Sequence, residues 1–154
     1  AASKGNINTI AFDKQGTTAY IVSRKNHVIY KASYDMATGE FNDVKLLAGS
    51  FGVTGYADGT GTSAKFNEPS QGDVDEDGNF YVADRGNHCI RVITPDGEVS
   101  TYAGQNKAGM VDGIASLAEF NNPEGCQFGP DGALYVADYS NHAIRKVEDG
   151  PAQP

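Results

Sequence analysis

Short apolar segments separated by turn residues run along most of this chain, and no window repeats apolar residues at helical spacing. Between residues 71 and 102 the pattern predicts strands at 71–75, 80–83, 89–94 and 99–102. Asp77-Gly78 and the Pro-Asp-Gly at 95–97 are turn sequences that close antiparallel hairpins. The sequence therefore predicts an all-β chain built from antiparallel meanders.

One of these meanders recurs along the chain. Tyr-Val-Ala-Asp-Arg-Gly-Asn-His-Cys-Ile-Arg at residues 81–91 returns as Tyr-Val-Ala-Asp-Tyr-Ser-Asn-His-Ala-Ile-Arg at 135–145, an offset of 54 residues. A weaker copy at 20–30 lies 61 residues before the first, and we assign the extra length to a longer connection over residues 34–43. Four strands in a repeat of about 40–55 residues are typical of a β-propeller blade.

We therefore predict a single partial β-propeller domain over residues 1–154, with three consecutive blades and eleven strands. The blades are expected at about 7–48, 69–103 and 123–147, and the third lacks its fourth strand. Because a ring needs about 4–8 blades and open sheet edges promote association, we expect further blades of a parent protein, or another chain, to complete it. The missing strand would normally come from an N-terminal segment, so we expect the chain to be the C-terminal half of a larger protein. The start at Ala1 without Met indicates a processed, trimmed or excised chain.

The repeat resembles the NHL-repeat β-propellers. Repeats two and three contain Asp-Gly, Tyr-Val-Ala-Asp, Asn-His and Ile-Arg in the family order, whereas the first repeat has Ser23 for the aspartate and Tyr30 for the arginine. The loop at 55–69 is similar to that of bacterial surface proteins in which an immunoglobulin-like IPT/TIG domain precedes NHL blades. The resemblance implies an extracytoplasmic location, at the cell surface or in the periplasm, and a role in polysaccharide uptake.

Charge and composition exclude several partners. The chain has 12 Lys+Arg against 20 Asp+Glu, a net charge of −8, which disfavours nucleic acid and anionic membranes. The longest apolar runs are about five residues, far below the ~18 that a membrane helix needs. Cys89 and Cys126 are too few for a disulfide scaffold and are not spaced as zinc ligands, so we interpret them as buried thiols.

A calcium-loop pattern starts at Asp73, continues through Asp75 and Asp77 to Gly78, and ends at Asp84. Residues 80–83 are predicted to be a strand, and a strand rises about 3.3 Å per residue. Asp84 would therefore lie about 15 Å from the turn that carries the other carboxylates. We therefore predict that these carboxylates serve a turn and hold no metal.

Three histidines, His27, His88 and His142, share one repeat position. Blade rotation spreads equivalent positions apart, whereas metal ligands converge within about 2.0–2.2 Å of one ion. We interpret them as structural residues packed between blades, after an Asn that adopts the left-handed conformation. No nucleophile elbow or phosphate loop occurs, so we predict no catalytic residue, no metal and no cofactor.

Loops held by a rigid scaffold are the default place for a binding site. We expect three sets of loops on one face of the disc-shaped propeller: residues 52–68, residues 105–122 and the Asp-x-x-Asn-His turns. The candidate ligand-binding side chains are Tyr56, Asp58, Asp84, Arg85, Asp138 and Tyr139. A tyrosine beside carboxylates suits a sugar and also a protein partner, while the two aspartates of the repeat have turn capping as their alternative role.

The preferred function is a non-catalytic propeller module that recognises a glycan or protein at a bacterial cell surface, with Tyr56 contributing more to binding than any histidine. The alternative is a hydrolase or lyase with a metal in the central channel of the complete propeller. A third possibility is assembly alone, in which copies of a half-propeller complete one ring. The lack of a catalytic constellation favours the first, since a fold alone fixes no function.

Overall fold

The computed structural model describes residues 7–149, which form twelve β-strands in three antiparallel sheets. In chain order the strands are β1 (Thr9–Phe12), β2 (Thr18–Ser23), β3 (Val28–Asp35), β4 (Glu40–Ala48), β5 (Gly59–Thr60), β6 (Pro69–Val74), β7 (Phe80–Asp84), β8 (Cys89–Ile93), β9 (Glu98–Gly104), β10 (Pro123–Phe128), β11 (Leu134–Asp138) and β12 (Ala143–Val147). These residues contain three single 3-10 turns and no α-helix, so no helix among them is long enough to span a membrane. The all-β prediction is confirmed.

The sheets follow the repeats. Blade 1 contains β1 to β4 in chain order, and blade 3 contains β10 to β12. Blade 2 contains β6 to β9, and the unpredicted strand β5 adds to its outer edge by pairing with β9. The hairpins of blades 2 and 3 close where the turn chemistry predicts, because the glycines of the Asp-Gly pairs at Gly78, Gly97 and Gly132 supply the left-handed residue, with φ of +85°, +88° and +79°. The assignment of all 154 residues to one domain stays a prediction.

The longer first repeat has a different cause from the one expected. Residues 34–43 are not a connection but the end of a long hairpin, in which Tyr34 pairs with Phe41 and Asp35 with Glu40. Asp35 accepts a hydrogen bond from the backbone of Ala37 at 2.8 Å and thereby holds the turn. The two strands continue into this segment because strand pairing gives its backbone N–H and C=O groups hydrogen-bond partners within the chain.

Neighbouring blades pack face to face, and tyrosines lie at each junction. The Tyr20 ring stacks on Phe80 of the next blade at 5.1 Å between ring centres, and its hydroxyl donates to the Gly78 carbonyl at 2.6 Å. Tyr81 meets Phe128 edge to face, at 5.0 Å. Burying a large apolar side chain contributes about 1.5–3 kcal/mol, so these two junctions hold the three blades together.

The first strands of the three blades, β1, β6 and β10, lie beside one another. A groove runs along them and is lined by residues 9–12, 71–73 and 126–127. In a propeller the first strands surround the central channel, so this groove is the part of the channel wall that these blades supply.

Candidate functional site

Two of the candidate aspartates lie at the centre of buried ion-pair networks. Asp84 is fully buried and accepts hydrogen bonds from the Arg91 guanidinium at 2.8 Å, the Asn87 amide at 2.7 Å and the Asn67 backbone at 2.8 Å. Burial raises the pKa of Asp84 to about 6, against the opposing effects of Arg91 and Asn87. The carboxylate is therefore ionised at neutral pH and pairs with a guanidinium that is itself fully buried.

The same network recurs in blade 3. Asp138 is fully buried and accepts from Arg145 at 2.7 Å, from the Asn141 amide at 2.8 Å and from the Asn121 backbone at 2.8 Å. Each carboxylate therefore has donors from its own turn, from its own blade and from the loop that leads into that blade. This geometry matches the alternative role of these aspartates in holding their turns.

The two arginines fix the connecting loops. Arg91 donates to the carbonyls of Ala57 and Lys65 and to the carboxylate of Asp58, each within 2.9 Å. Arg145 makes the equivalent bonds to the carbonyls of Val111 and Glu119 and to the carboxylate of Asp112. The acids that pair with each arginine therefore belong to its own blade and to the loop that leads into that blade.

The histidines connect successive blades. His27 Nδ1 accepts a hydrogen bond from the Glu68 backbone at 2.9 Å, and His88 Nδ1 accepts one from the Asn122 backbone at 3.0 Å. The donors immediately precede β6 and β10, the first strands of blades 2 and 3. His27 and His88 therefore each form a hydrogen bond between two blades, in agreement with their interpretation as inter-blade residues.

The left-handed backbone of this turn falls on the histidine, and its expected assignment to the preceding asparagine was wrong. His27, His88 and His142 have φ of 58°, 55° and 53°. The side chain of Asn87 already donates to Asp84 and to the Gly55 carbonyl, which holds the asparagine in the preceding 3-10 turn. The chain then reverses at the next residue.

The hydrogen bond at His88 predicts a pH-dependent stability. Burial lowers the pKa of His88 below its ordinary 6.5, and Arg85 lowers it further. Because the unfolded state then binds the proton more readily, the contribution of neutral His88 is complete above about pH 6.5 and is lost as pH falls toward the folded-state pKa. We expect the unfolding free energy of the native chain to fall more steeply between pH 7.5 and 5.5 than that of His88→Asn, measured by urea denaturation.

The matched control is His142→Asn, at the same repeat position but exposed and followed by no blade within residues 7–149. The unfolding free energy of His142→Asn should fall as steeply between pH 7.5 and 5.5 as that of the native chain. Equal slopes for the native chain and His88→Asn would contradict the assignment.

A second group of charged side chains joins all three blades, and we call it the inner cluster. It contains Arg24, Glu68, Arg85 and Glu124. Glu124 on β10 accepts from Arg24 at 2.8 Å and from Arg85 at 3.0 Å, and Arg85 also pairs with Glu68 at 3.3 Å. These side chains are between about a quarter and a half exposed, so they offer donors and acceptors to solvent beside the first strands.

Tyr139 holds in blade 3 the position that the two arginines of the inner cluster hold in blades 1 and 2. Arg24, Arg85 and Tyr139 occupy one repeat position, at offsets of 61 and 54 residues. Tyr139 is 61% exposed. Our sequence reasoning selected Arg85 and Tyr139 but missed Arg24 and the two glutamates. The register of the three repeats was the signal that identifies Arg24.

Tyr56 and Asp58 lie elsewhere, over the outer strands of blade 2. The Tyr56 hydroxyl is 2.9 Å from the Thr101 hydroxyl on β9, and its ring lies 5.0 Å from the Arg91 guanidinium. Asp58 accepts from both Arg91 and Thr101. The structure thus separates the six candidates into an outer pair, a buried pair of aspartates, and two residues at the inner cluster position.

The carboxylates of the calcium-loop pattern have separate roles. Asp75 closes its own turn by accepting from the backbones of Asp77 and Asn79 at 2.9 Å, and Asp73 accepts from the Phe128 backbone of blade 3 at 3.0 Å. Among residues 7–149 no group of three His, Cys, Asp or Glu side chains is placed to hold a metal ion. The absence of a bound metal stays a prediction.

The two cysteines are buried free thiols, as predicted. Burial raises the pKa of both Cys89 and Cys126. They are therefore neutral packing residues at physiological pH, because the thiolate is the reactive form.

Three antiparallel sheets with adjacent first strands, joined by repeated His and Tyr contacts, define consecutive blades of a β-propeller of NHL type. The family profile described as SMP-30/Gluconolactonase/LRE-like region matches residues 4–106, and the chain belongs to this family. The predicted recognition and fold class are thereby confirmed at the level of the propeller family.

Known proteins that resemble the chain are longer than it is. NHL repeat-containing protein 2 of Bos taurus is 33% identical over 105 residues, which are 68% of this chain and 14% of that protein. An auxiliary nutrient binding protein from Bacteroides thetaiotaomicron superposes with a TM-score of 0.86 at 31% identity, covering 96% of this chain and 38% of that one. Its counterpart from Bacteroides ovatus gives 0.85 at 32% identity, covering 97% and 39%.

Proposed function

We propose that this chain belongs to a non-catalytic propeller that recognises a glycan, outside the cytoplasm and in particular at a bacterial cell surface. The face carrying the inner cluster and Tyr139 is the binding face. Two similar structures are described as auxiliary nutrient binding proteins, at 31% and 32% identity, which supports a ligand-binding role. A protein ligand is the other possibility for the same face.

The exposed ring of Tyr139, at the repeat position of Arg24 and Arg85, carries this proposal. An exposed tyrosine combines a large apolar face with a polar tip, and binding energy concentrates in such aromatic residues. In the inner cluster, Arg85 and Glu124 are partly exposed and form a paired donor and acceptor. Sugar hydroxyls need both kinds of partner, and the sugar ring needs an apolar surface, so this arrangement suits a glycan.

Tyr56 is a weaker candidate in the folded chain than the sequence indicated. The Tyr56 ring packs over Arg91 and its hydroxyl bonds to Thr101. The apolar face and the polar tip that a ligand would contact are therefore already engaged within the chain, although 41% of the residue is exposed. We expect it to contribute less to ligand binding than Tyr139.

The test is to find a ligand for the native chain on an array of soluble polysaccharides and to measure its affinity by calorimetry. Tyr139→Ala is expected to weaken binding at least tenfold, with little change in melting temperature because the side chain is exposed. Tyr56→Ala is the matched control and should weaken binding less. Unchanged affinity of Tyr139→Ala, or no binding to any glycan by a correctly folded chain, would overturn the proposal.

The enzymatic alternative requires metal ligands that point into the channel. Along the groove of the first strands this part of the chain offers Asp73, Gln71 and Gln127. The Asp73 carboxylate already accepts hydrogen bonds from the backbones of Val74 and Phe128. These residues do not form a ligand set, so we derive no catalytic step through a metal.

A further inference from the structure

The arginines of this chain are already paired with carboxylates. All four of them lie within residues 7–149, and each forms at least one ion pair with an aspartate or a glutamate. Arg91 and Arg145 are buried in the blade networks, where a ligand does not reach them. Arg24 and Arg85 of the inner cluster are about a quarter exposed, so they are the arginines that a ligand can contact.

The inner cluster lies near the axis of the propeller. Arg24 belongs to blade 1 and Glu124 to blade 3, yet their side chains are in direct contact at 2.8 Å. Blades radiate from the centre of the disc, so side chains from blades that are not neighbours meet where the blades converge. Arg85 of the intervening blade 2 completes the contact with Glu124. The cluster therefore belongs to the two junctions that this chain forms, and not to the open ends of the row of blades.

Glu124 holds both exposed arginines at once. Its Oε1 accepts a hydrogen bond from Arg24 at 2.8 Å, and its Oε2 accepts one from Arg85 at 3.0 Å. The Glu124 backbone is held as well, because its carbonyl accepts a hydrogen bond from the Ser70 hydroxyl of blade 2. Glu68 adds a second carboxylate to Arg85 at 3.3 Å. Two guanidiniums and two carboxylates thus leave the cluster without net charge.

The cluster still offers hydrogen-bonding groups to a neutral ligand. Arg24 bonds to it through Nη1, and Arg85 through Nε and Nη1, so among residues 7–149 the Nη2 group of each arginine makes no bond to the cluster. A carboxylate oxygen also has room for a second donor. Since a sugar hydroxyl both donates and accepts, two neighbouring hydroxyls can bind an N–H group and a carboxylate oxygen together.

An acidic ligand meets two obstacles at the same place. A carboxylate or sulfate binds most strongly to a guanidinium that offers it a bidentate contact, and both exposed arginines already have a carboxylate partner. Displacing Glu124 would leave that glutamate without either cation. The net charge of −8 adds a long-range repulsion that a polyanion must overcome.

We propose that the inner cluster selects a neutral glycan over an acidic one, and that Glu124 determines this selectivity by neutralising Arg24 and Arg85 together. The selectivity rests on the proposed glycan-binding function and adds the class of glycan to it. The ligands are polysaccharides with neighbouring free hydroxyls and without uronic acid or sulfate groups.

The native chain provides the first test, which needs no variant. The array of soluble polysaccharides is divided into neutral members, such as starch and mannan, and uronic-acid members, such as polygalacturonate and alginate. We expect the tightest neutral ligand to bind at least tenfold more tightly than any acidic member, measured by calorimetry. An acidic member that binds as tightly would overturn the selectivity and leave glycan binding intact. A correctly folded chain that binds no member would overturn glycan binding itself.

Glu124→Gln tests the residue that determines the selectivity. The substitution keeps the size of the side chain but removes the charge that the two arginines share. We expect it to bind polygalacturonate at least fivefold more tightly than the native chain at low salt, and the gain should disappear at high salt because exposed charges are screened. Affinity electrophoresis in gels that contain polygalacturonate measures the change.

Glu98→Gln is the matched control. It changes the net charge by the same one unit, but Glu98 is exposed at the start of β9, the fourth strand of blade 2 and the one farthest from the axis. It should change the polygalacturonate affinity less than twofold. Equal gains for the two variants would show that net charge acts alone and would overturn the role of Glu124.

Glu68→Gln keeps the test valid if Glu124→Gln does not fold. Glu68 is 44% exposed in its side chain and contacts Arg85 at the longest distance of the cluster, 3.3 Å, so its substitution should leave the circular dichroism spectrum unchanged. We expect it to raise the polygalacturonate affinity in the same direction by a smaller factor. An affinity that does not rise in this folded variant would also contradict the proposal.

Discussion

Replacing Arg91 with methionine is expected to lower the unfolding free energy by about 3–5 kcal/mol. Methionine fills much of the space of the arginine but leaves the Asp84 carboxylate fully buried without its cationic partner. The substitution also removes the donors to the carbonyls of Ala57 and Lys65, so the loop leading into blade 2 loses two of its attachments to the blade. Unfolding in urea, followed by tyrosine fluorescence because the chain has 8 Tyr and no Trp, measures the effect.

The matched control is Arg85→Met. Arg85 also pairs with carboxylates, but about a quarter of its side chain is exposed, so the loss should stay below about 1 kcal/mol. The cost of Arg91→Met should be smaller at pH 5 than at pH 7, because an unpaired Asp84 can bind a proton at lower pH. If both arginine variants lose the same stability, the buried network is not what holds the connecting loop.

The repeat was sufficient to predict the blades. Turn residues such as Gly78 fix where a hairpin closes, and the 54-residue offset transfers that information from blade 2 to blade 3. The pairing of Tyr34 with Phe41 was missed, since a turn-rich stretch between apolar segments is compatible with both a loop and a long hairpin. Only the partner strand distinguishes the two.

The candidate site was harder to predict because its contacts are distant in sequence. Arg24 and Glu124 are 100 residues apart, and no local pattern places them together. Asp84 was selected as a ligand-binding residue because it is polar and lies in a repeated turn, yet the blade buries it against Arg91. A repeated polar residue is thus compatible with a structural network as well as with a binding site, and burial separates the two.

The two networks also show how this small structure positions a binding face. Arg91 attaches a connecting loop to its blade, and His88 attaches that blade to the next. The loop and the inner cluster are therefore supported by residues that do not themselves contact solvent extensively. Substitutions in these supports should change binding through stability, whereas Tyr139→Ala should change it directly.

Replacing Gly104 with alanine is expected to lower the unfolding free energy by about 2–6 kcal/mol. Gly104 has φ +101°, a strained conformation that costs an ordinary residue about 1–3 kcal/mol. A Cβ there would lie 2.7 Å from the His88 carbonyl and 2.8 Å from the Cys89 Cα, and crowding of this kind adds about 1–3 kcal/mol. Since both neighbours are backbone atoms, the turn that carries the His88 side chain would have to move.

Gly52→Ala separates the two causes of this loss. Gly52 also has a positive φ, +76°, but a Cβ there meets nothing within 4 Å, so its substitution should cost only about 1–2 kcal/mol. Gly49, with a Cβ 2.5 Å from the His27 carbonyl, makes the same approach in blade 1 and should behave like Gly104. Equal losses for the alanine variants of Gly52 and Gly104, measured by urea denaturation, would show that the conformation alone requires glycine. A larger loss at Gly104 would show that the last strand of a blade needs glycine in order to pass the histidine turn.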